Sequence, residues 1–339
     1  MINYAIVGCG RVSSYHANAI VQDENSRLVA CCEVKTDQLK QFSRTYNCKP
    51  YTDINEMLNN ENIDVVIIAT GNSSHLKLID IAAKHKKHIL CEKPLALTKD
   101  DCVKAINLCK ENNVKLYEVK QNRFNKPVAK LKNIFDDGKL GKLVLGNSTI
   151  RWFRDQDYYD KNEWHGKRNT DGGMLYTQAI HDIDLLLWFM GNVRSVQSNM
   201  ATLLHNIETE DVATAILEFE NGALGVIEAT TCTYPKDTEG SLTIIGDKGT
   251  VKIGGISMNK VDIWQVKDDN TDTSELNTYP ENVYGFGHKD LISCLTNSLI
   301  ENKDSSFLVD GKQALKSVEV IEAIIKSAET GQKVYIQKT

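Results

Sequence analysis

The residues of this sequence whose types and spacing suit chemistry are a glycine-rich turn, one acidic residue, a lysine and a histidine. Gly8-Cys9-Gly10-Arg11-Val12-Ser13 directly follows the first apolar run and opens a helical pattern, which is the setting in which G-x-G-x-x-G/A binds a dinucleotide. Gly8 permits the tight turn, and Gly10 lets the backbone approach a pyrophosphate. The negative charge is then met by the amides and dipole of the helix that starts at Arg11 and Val12. Ser13 replaces the third glycine and is still small enough for close packing. Glu33 comes 23 residues after Gly10, near the distance at which a carboxylate takes the ribose hydroxyls of NAD. It would repel the 2'-phosphate of NADP, so NAD is favoured, although Lys35 could tolerate a phosphate. Further on, Lys93 in Cys91-Glu92-Lys93-Pro94 and His181 in a helical stretch offer groups for charge stabilisation and proton transfer.

These residues need a scaffold. A chain of 339 residues predicts about two domains, and 41% hydrophobic with 25% charged residues predicts an ordinary globular protein. Forty Lys plus Arg against forty-five Asp plus Glu give a net charge of -5 without any basic block, which disfavours a nucleic-acid partner. No signal peptide is expected, since the apolar start is broken by Gly8. The longest later apolar run, residues 185–190, is far short of the roughly 20 needed to cross a bilayer, so a cytoplasmic protein without membrane contact is expected. Nine cysteines, an odd number without a C-x-x-C pair, read as reduced structural thiols, and no metal site is expected.

Up to about residue 120 short apolar runs (4–7, 27–32, 65–69, 88–91 and 115–119) alternate with amphipathic stretches, the pattern of a parallel sheet wrapped by helices. A helix is predicted over 96–109, with a capped start near Thr98. The strand at 65–69 runs into small and polar residues at the sheet's carboxyl edge, where ligands bind. Thr70 and Asn72 are therefore expected to line the cofactor, with His75 beside them packing or capping the next helix. After Pro127 the pattern changes to a helix at 128–135, a turn at 138–141, and long strands. Residues 212–218, 223–230, 241–245 and 250–253 read as consecutive antiparallel strands joined by turns at 220–222 and 246–249. Helices are predicted over 175–190 and 311–330, and 268–274 reads as a mobile polar loop. The predicted fold is an α/β Rossmann domain over 1–122, followed by an α+β domain with an open, mostly antiparallel sheet over 123–339.

At Glu92-Lys93-Pro94 the sequence resembles the Gfo/Idh/MocA oxidoreductases, and the resemblance covers essentially the whole chain. It implies a lysine, here Lys93, beside the nicotinamide and the substrate hydroxyl, and a proline that often follows a cis peptide. It also places Glu92 and Gln121 beside the cofactor. Gly172 to Asp184 is similar to the family pattern G-G-x-L-x-D-x-G-x-H-x-x-D, which makes His181 the family histidine. Thr177 stands where the family usually carries Asp, so an Asp–His relay is absent and catalysis rests on Lys93 and His181. His181 starts near a pKa of about 6.5 and Lys93 near about 10.4, which favours His181 as proton acceptor and Lys93 as the group that polarises the reacting oxygen. Asp184 is expected to hold its helix to its neighbours.

A narrower resemblance joins Gln121-Asn122-Arg123-Phe124-Asn125, Trp152-Phe153-Arg154, Tyr158-Tyr159, Trp164-His165-Gly166 and Thr177-Gln178. Together they look like the UDP-N-acetylglucosamine and UDP-N-acetylglucosaminuronate 3-dehydrogenases. This implies NAD-dependent oxidation of a sugar C3 hydroxyl on the way to diamino sugars of surface polysaccharide or lipid A. A nucleotide-sugar needs cations, an aromatic platform and amide hydrogen-bonders. Arg123, Arg154, Tyr159, Arg168, Thr177 and Gln178, with Lys93 and His181, are the expected substrate contacts. Whether C6 is a carboxylate turns on a single well-aimed cation, and spacing does not decide it. The competing readings are an inositol or free-sugar dehydrogenase or ketoreductase, a non-catalytic NAD(P)-binding regulator, and a glycosidase using NAD as internal oxidant. An open sheet face in need of cover predicts a homodimer or homotetramer.

Overall fold

The computed structural model describes residues 1–337, so the last two residues of the predicted second domain lie outside it. The chain forms two compact units, Met1–Gln121 with Gly287–Leu315, and Asn122–Phe286 with Lys316 onward. The division therefore differs from a single cut near residue 122. Residues 287–315 return to the first unit because the helix Gly287–Ile300 turns His288, Leu291, Ile292 and Leu295 inward and packs them on the helix Arg11–Gln22. Tyr4 of the first strand bonds Thr296 of that returning helix at 2.7 Å.

In the first unit, strands β1 (Ile2–Val7), β2 (Ser26–Cys32), β3 (Lys49–Tyr51), β4 (Val65–Ile68), β5 (His88–Cys91) and β6 (Leu116–Glu118) lie in the order 6-5-4-1-2-3. All of these pairs are parallel, and only the edge strand Val309–Asp310 runs against β6. This is the doubly wound order, in which ligands meet the carboxyl ends of β1 and β4. The side chains of β4 are buried on both faces, which explains its unbroken Val-Val-Ile-Ile. The helix predicted over 96–109 runs Lys99–Glu111, because Thr98 accepts the Asp101 amide and fixes the start there.

The second unit carries β7 (Leu143–Arg151), β8 (Val193–Ala201), β9 (Val212–Phe219), β10 (Leu224–Thr230), β11 (Glu239–Gly246), β12 (Gly249–Gly254) and β13 (Lys260–Val266) in one open sheet. Its order is 13-12-11-7-10-9-8, with Val334–Tyr335 on the β8 edge. The hairpins β9–β10 and β11–β12 form where the turns predicted them. The four strands are not consecutive in space, however, since β7 separates β10 from β11 and pairs with β10 in parallel. One buried row crosses six strands through Ser198, Ala215, Ile227, Ser148, Leu242 and Ile253. The next row (Gln197, Ile216, Val226, Asn147, Thr243, Lys252) is partly or fully exposed. The helix Ile180–Met190 covers the buried face over β7 and β11. Gly146 allows that approach, since a methyl there would meet Leu186 and Met190 at 2.7 Å. The helix Gly311–Thr330 is as predicted, and its Ser327 hydroxyl and Ile324 carbonyl bond Ser198 of β8. The polar stretch 268–274 is tethered rather than loose, with Asp269 accepting from Trp264 at 2.8 Å and Lys139 at 3.2 Å. Among the described residues no helix is long and apolar enough to cross a membrane.

Candidate functional site

Within the first unit, the candidate nucleotide site is built at the carboxyl ends of β1, β2, β4 and β5. Gly8 has φ +93°, and a Cβ there would lie 2.4 Å from the Ala69 carbonyl oxygen, so only glycine fits between β1 and β4. Gly10 caps the helix Arg11–Gln22 with open space where its Cβ would be. That helix starts without a side-chain cap and without an acidic residue in its first turn, leaving its positive end for an anion. Ser13 donates to the Gly8 carbonyl at 2.6 Å and ties helix to turn. Glu33 accepts from the Cys9 amide at 3.0 Å with one oxygen and from the Lys35 amide at 2.9 Å with the other. Its carboxylate is thus fixed beside the glycine turn. An open glycine, an uncapped helix start and a pinned carboxylate together fit the pyrophosphate and ribose of a dinucleotide.

At the end of β4, Thr70 Oγ1 bonds Ser74 Oγ at 2.6 Å and Asn72 is buried in the following turn. His75 is fully buried and braces the backbone, the packing role expected of it next to Thr70 and Asn72. Its Nδ1 lies 2.8 Å from the Pro94 carbonyl and its Nε2 3.2 Å from that of Thr70. Burial pushes its pKa below the ordinary histidine range. Glu92 is buried as well, with both carboxylate oxygens engaged. One oxygen meets His16 Nε2 at 2.7 Å, and the other accepts the Lys93 amide at 3.2 Å. Burial alone would raise its carboxyl, but His16, helped by His288 and Lys93, brings it down to about 2. His288 stands edge-on to His16 at 5.1 Å and is pushed down to about 3 by burial and then by His16. Lys93 itself is half-buried and joined to Pro94 by a cis peptide. Gln121 is buried, and its carbonyl packs so closely on Gly287 that a Cβ there would lie 2.0 Å away.

The second unit carries a separate group of polar and aromatic residues. Gly172 and Gly173, with φ +84° and +106°, lead into a π-helical turn, Leu175–Ala179, before the α-helix Ile180–Met190. The predicted single helix over 175–190 thus starts with a widened turn, a feature frequent at functional sites. Thr177 Oγ1 lies 2.8 Å from the Gly173 carbonyl oxygen and also against the Gln178 side-chain amide, its single proton serving one of the two. Gln178 reaches the Tyr158 hydroxyl at 3.4 Å, and the Arg154 guanidinium lies 5.2 Å over the Tyr158 ring. Arg154, Tyr158, Thr177 and Gln178 are therefore linked, with Arg154 also bonded to Asp237 at 3.1 Å. His181 is buried one turn further along the same helix.

Three further expected substrate contacts have protein partners of their own. Arg123 is buried in a bidentate pair with Asp184, both bonds at 2.8 Å, under the Trp188 ring at 4.4 Å. It serves packing, and Asp184 anchors its helix. Tyr159 is buried with its hydroxyl 3.0 Å from Thr231. Arg168 is exposed and reaches Glu329 at 3.2 Å. Tyr158, one of the pair Tyr158-Tyr159 that carries the narrower resemblance, is the centre of the linked group. Sequence reasoning missed Glu210, which accepts the Leu175 amide at 2.8 Å. Burial raises the Glu210 carboxyl to about 7. The one available signal was the polar run Thr209-Glu210-Asp211 directly ahead of β9.

Comparison with known proteins agrees with this architecture. Residues 2–120 match the model of the oxidoreductase family with NAD-binding Rossmann fold, and residues 128–252 match the GFO/IDH/MocA C-terminal domain. The chain is similar to the WlbA dehydrogenase from Bordetella pertussis, solved with NADH and UDP-GlcNAcA, at 34% identity and a TM-score of 0.94. The match covers 100% of this chain and 98% of that one. The WlbA dehydrogenase from Chromobacterium violaceum, solved with the same two ligands, is 32% identical at a TM-score of 0.91, covering 100% and 96%. Myo-inositol 2-dehydrogenase from Thermotoga maritima is 29% identical over 255 residues, 73% of each chain. With both domain models matched in order, an NAD-binding turn in place and the Glu-Lys-Pro and His181 segments on their expected elements, this chain belongs to the Gfo/Idh/MocA family of NAD-dependent oxidoreductases.

Proposed function

We propose that this protein oxidises the C3 hydroxyl of a UDP-N-acetylhexosamine, with UDP-GlcNAcA as the first candidate. The observation that carries the reading is full-length similarity, at 34% identity, to an enzyme solved with NADH and UDP-GlcNAcA. Bound NAD supplies the hydride acceptor. Gly10 and the open helix start hold its pyrophosphate, Glu33 its ribose hydroxyls, and Thr70 and Asn72 line its nicotinamide side. Lys93 donates to the reacting oxygen and stabilises the charge that grows there. His181 takes the hydroxyl proton, since a neutral imidazole is basic near pH 7 and an ammonium is not. Arg154 and Tyr158, with Thr177 and Gln178, supply the cation, ring and amide that a nucleotide-sugar requires. The exposed row through Ile216 and Val226 favours a homodimer or homotetramer, which light scattering on the purified protein measures.

The deciding experiment offers NAD with UDP-GlcNAcA, UDP-GlcNAc, myo-inositol and free sugars, follows NADH, and locates the oxidised carbon by NMR. Turnover of a UDP-sugar at C3 is expected. Turnover of myo-inositol with none of the UDP-sugars would overturn the reading in favour of the inositol branch, to which a relative at 29% identity belongs.

A further inference from the structure

The π-helical turn Leu175–Ala179 carries Thr177 and Gln178 and leads into His181, so its shape sets where those side chains point. The first amides of a helix have no partner within it. Here the Leu175 amide is taken by a buried carboxylate from a distant segment, Glu210, at 2.8 Å. Both Glu210 oxygens lie against Gly173, where a Cβ would approach them to 2.5 and 2.7 Å. Gly173, with positive φ, therefore holds the start of the turn against this one side chain. Glu210 also sits in a frame that is itself fixed. The neighbouring Thr209 and Asp211 bond the backbone of Gly166 and of Leu203, Leu204 and His205. The charged groups that face it are Asp171 and Arg168.

We propose that Glu210 is a positioning residue for the reaction: it fixes the π-helical turn through the Leu175 amide and so aims Thr177, Gln178 and His181. The kinetic part of this inference rests on the reading of that helix as substrate-facing, given above; the conformational part does not.

Two variants test it. Glu210→Leu fills similar space without an acceptor, and Glu210→Gln keeps an amide oxygen for the Leu175 amide. Hydrogen–deuterium exchange over residues 172–181 is expected to quicken at least tenfold in Glu210→Leu and to stay near the wild-type rate in Glu210→Gln. With NAD and UDP-GlcNAcA, kcat is expected to fall at least tenfold in Glu210→Leu and to recover within threefold in Glu210→Gln, with KM for NAD within twofold in both. Wild-type exchange and kcat in Glu210→Leu, or equal damage in both variants, would overturn the inference. If Glu210→Leu does not fold, Glu210→Ala takes its place as the variant without an acceptor, and the same contrast with Glu210→Gln decides. If the wild-type enzyme turns over no UDP-sugar, the proposed function fails and the exchange comparison still decides Glu210.

Discussion

His16 Nε2 lies 2.7 Å from Glu92 Oε1, and the pair is buried directly behind the backbone of Lys93. A buried pair that loses one partner leaves an uncompensated charge, so His16→Leu should destabilise the protein by about 3 kcal/mol at pH 7, measured by urea unfolding. The pH dependence has a definite sign. The Glu92 carboxyl is lowered from 4.5 to about 2 in the folded state. Its contribution is therefore complete above about 4.5 and is lost as pH falls toward about 2. Glu92→Gln should flatten the stability profile over that interval, and an unchanged acid limb would remove the pair from the account.

The two glycines of the nucleotide turn should behave differently. Gly8→Ala drives a Cβ into the Ala69 carbonyl and should destabilise the fold by more than about 2 kcal/mol. Gly10→Ala meets no protein atom, so stability should stay within about 0.5 kcal/mol while NAD affinity falls at least tenfold. Thermal unfolding and fluorescence titration with NADH read the two effects separately. Equal NADH affinity in Gly10→Ala would mean that the pyrophosphate does not pass this glycine.

Glu33 is held by the Cys9 and Lys35 amides in the position expected for a ribose partner. Removing it in Glu33→Ala should relax the preference for NAD over NADP by about 1 to 2 kcal/mol, the range of a charge-assisted hydrogen bond. The ratio of kcat/KM for the two coenzymes measures this. No change in that ratio would assign the ribose to another group.

Lys93→Met and His181→Asn should each abolish turnover while leaving NAD affinity within a few-fold, because neither substitution touches the glycine turn or Glu33. Single-turnover rates with isotopically normal and C3-deuterated sugar separate lost chemistry from lost binding. Wild-type rates in either variant would strike that residue from the catalytic pair.

The legible parts of this molecule were those encoded by local pattern. Gly8, Gly10 and Glu33 follow from the spacing of turn, helix and strand, and the helix Gly311–Thr330 from its period. Burial of His288, Leu291 and Ile292 is also periodic, but period does not say which neighbour receives a face, and the return of residues 287–315 to the first unit was invisible. Insertion of β7 between β10 and β11 is a non-local pairing that turn residues do not report. Arg123 and Arg168 look alike as sequence letters. One is consumed by the buried Asp184 and the other is an exposed partner of Glu329, a difference made by burial alone.

Glu210 gives the last prediction, and its sign is opposite to that of Glu92. Burial raises its carboxyl from 4.5 to about 7, so the folded protein holds the proton more tightly than the unfolded chain. The favourable contribution is present below about 4.5 and is lost as pH rises through about 7. Glu210→Gln is neutral throughout and should match the wild type near pH 4.5. Above pH 8 it should exceed the wild type by about 3 kcal/mol, the value of that pKa rise. Urea midpoints of the two proteins between pH 4.5 and 8.5 measure the divergence. Parallel curves would mean that the Glu210 carboxyl titrates alike in the folded and unfolded protein, with the Leu175 amide offsetting the whole cost of burying its charge.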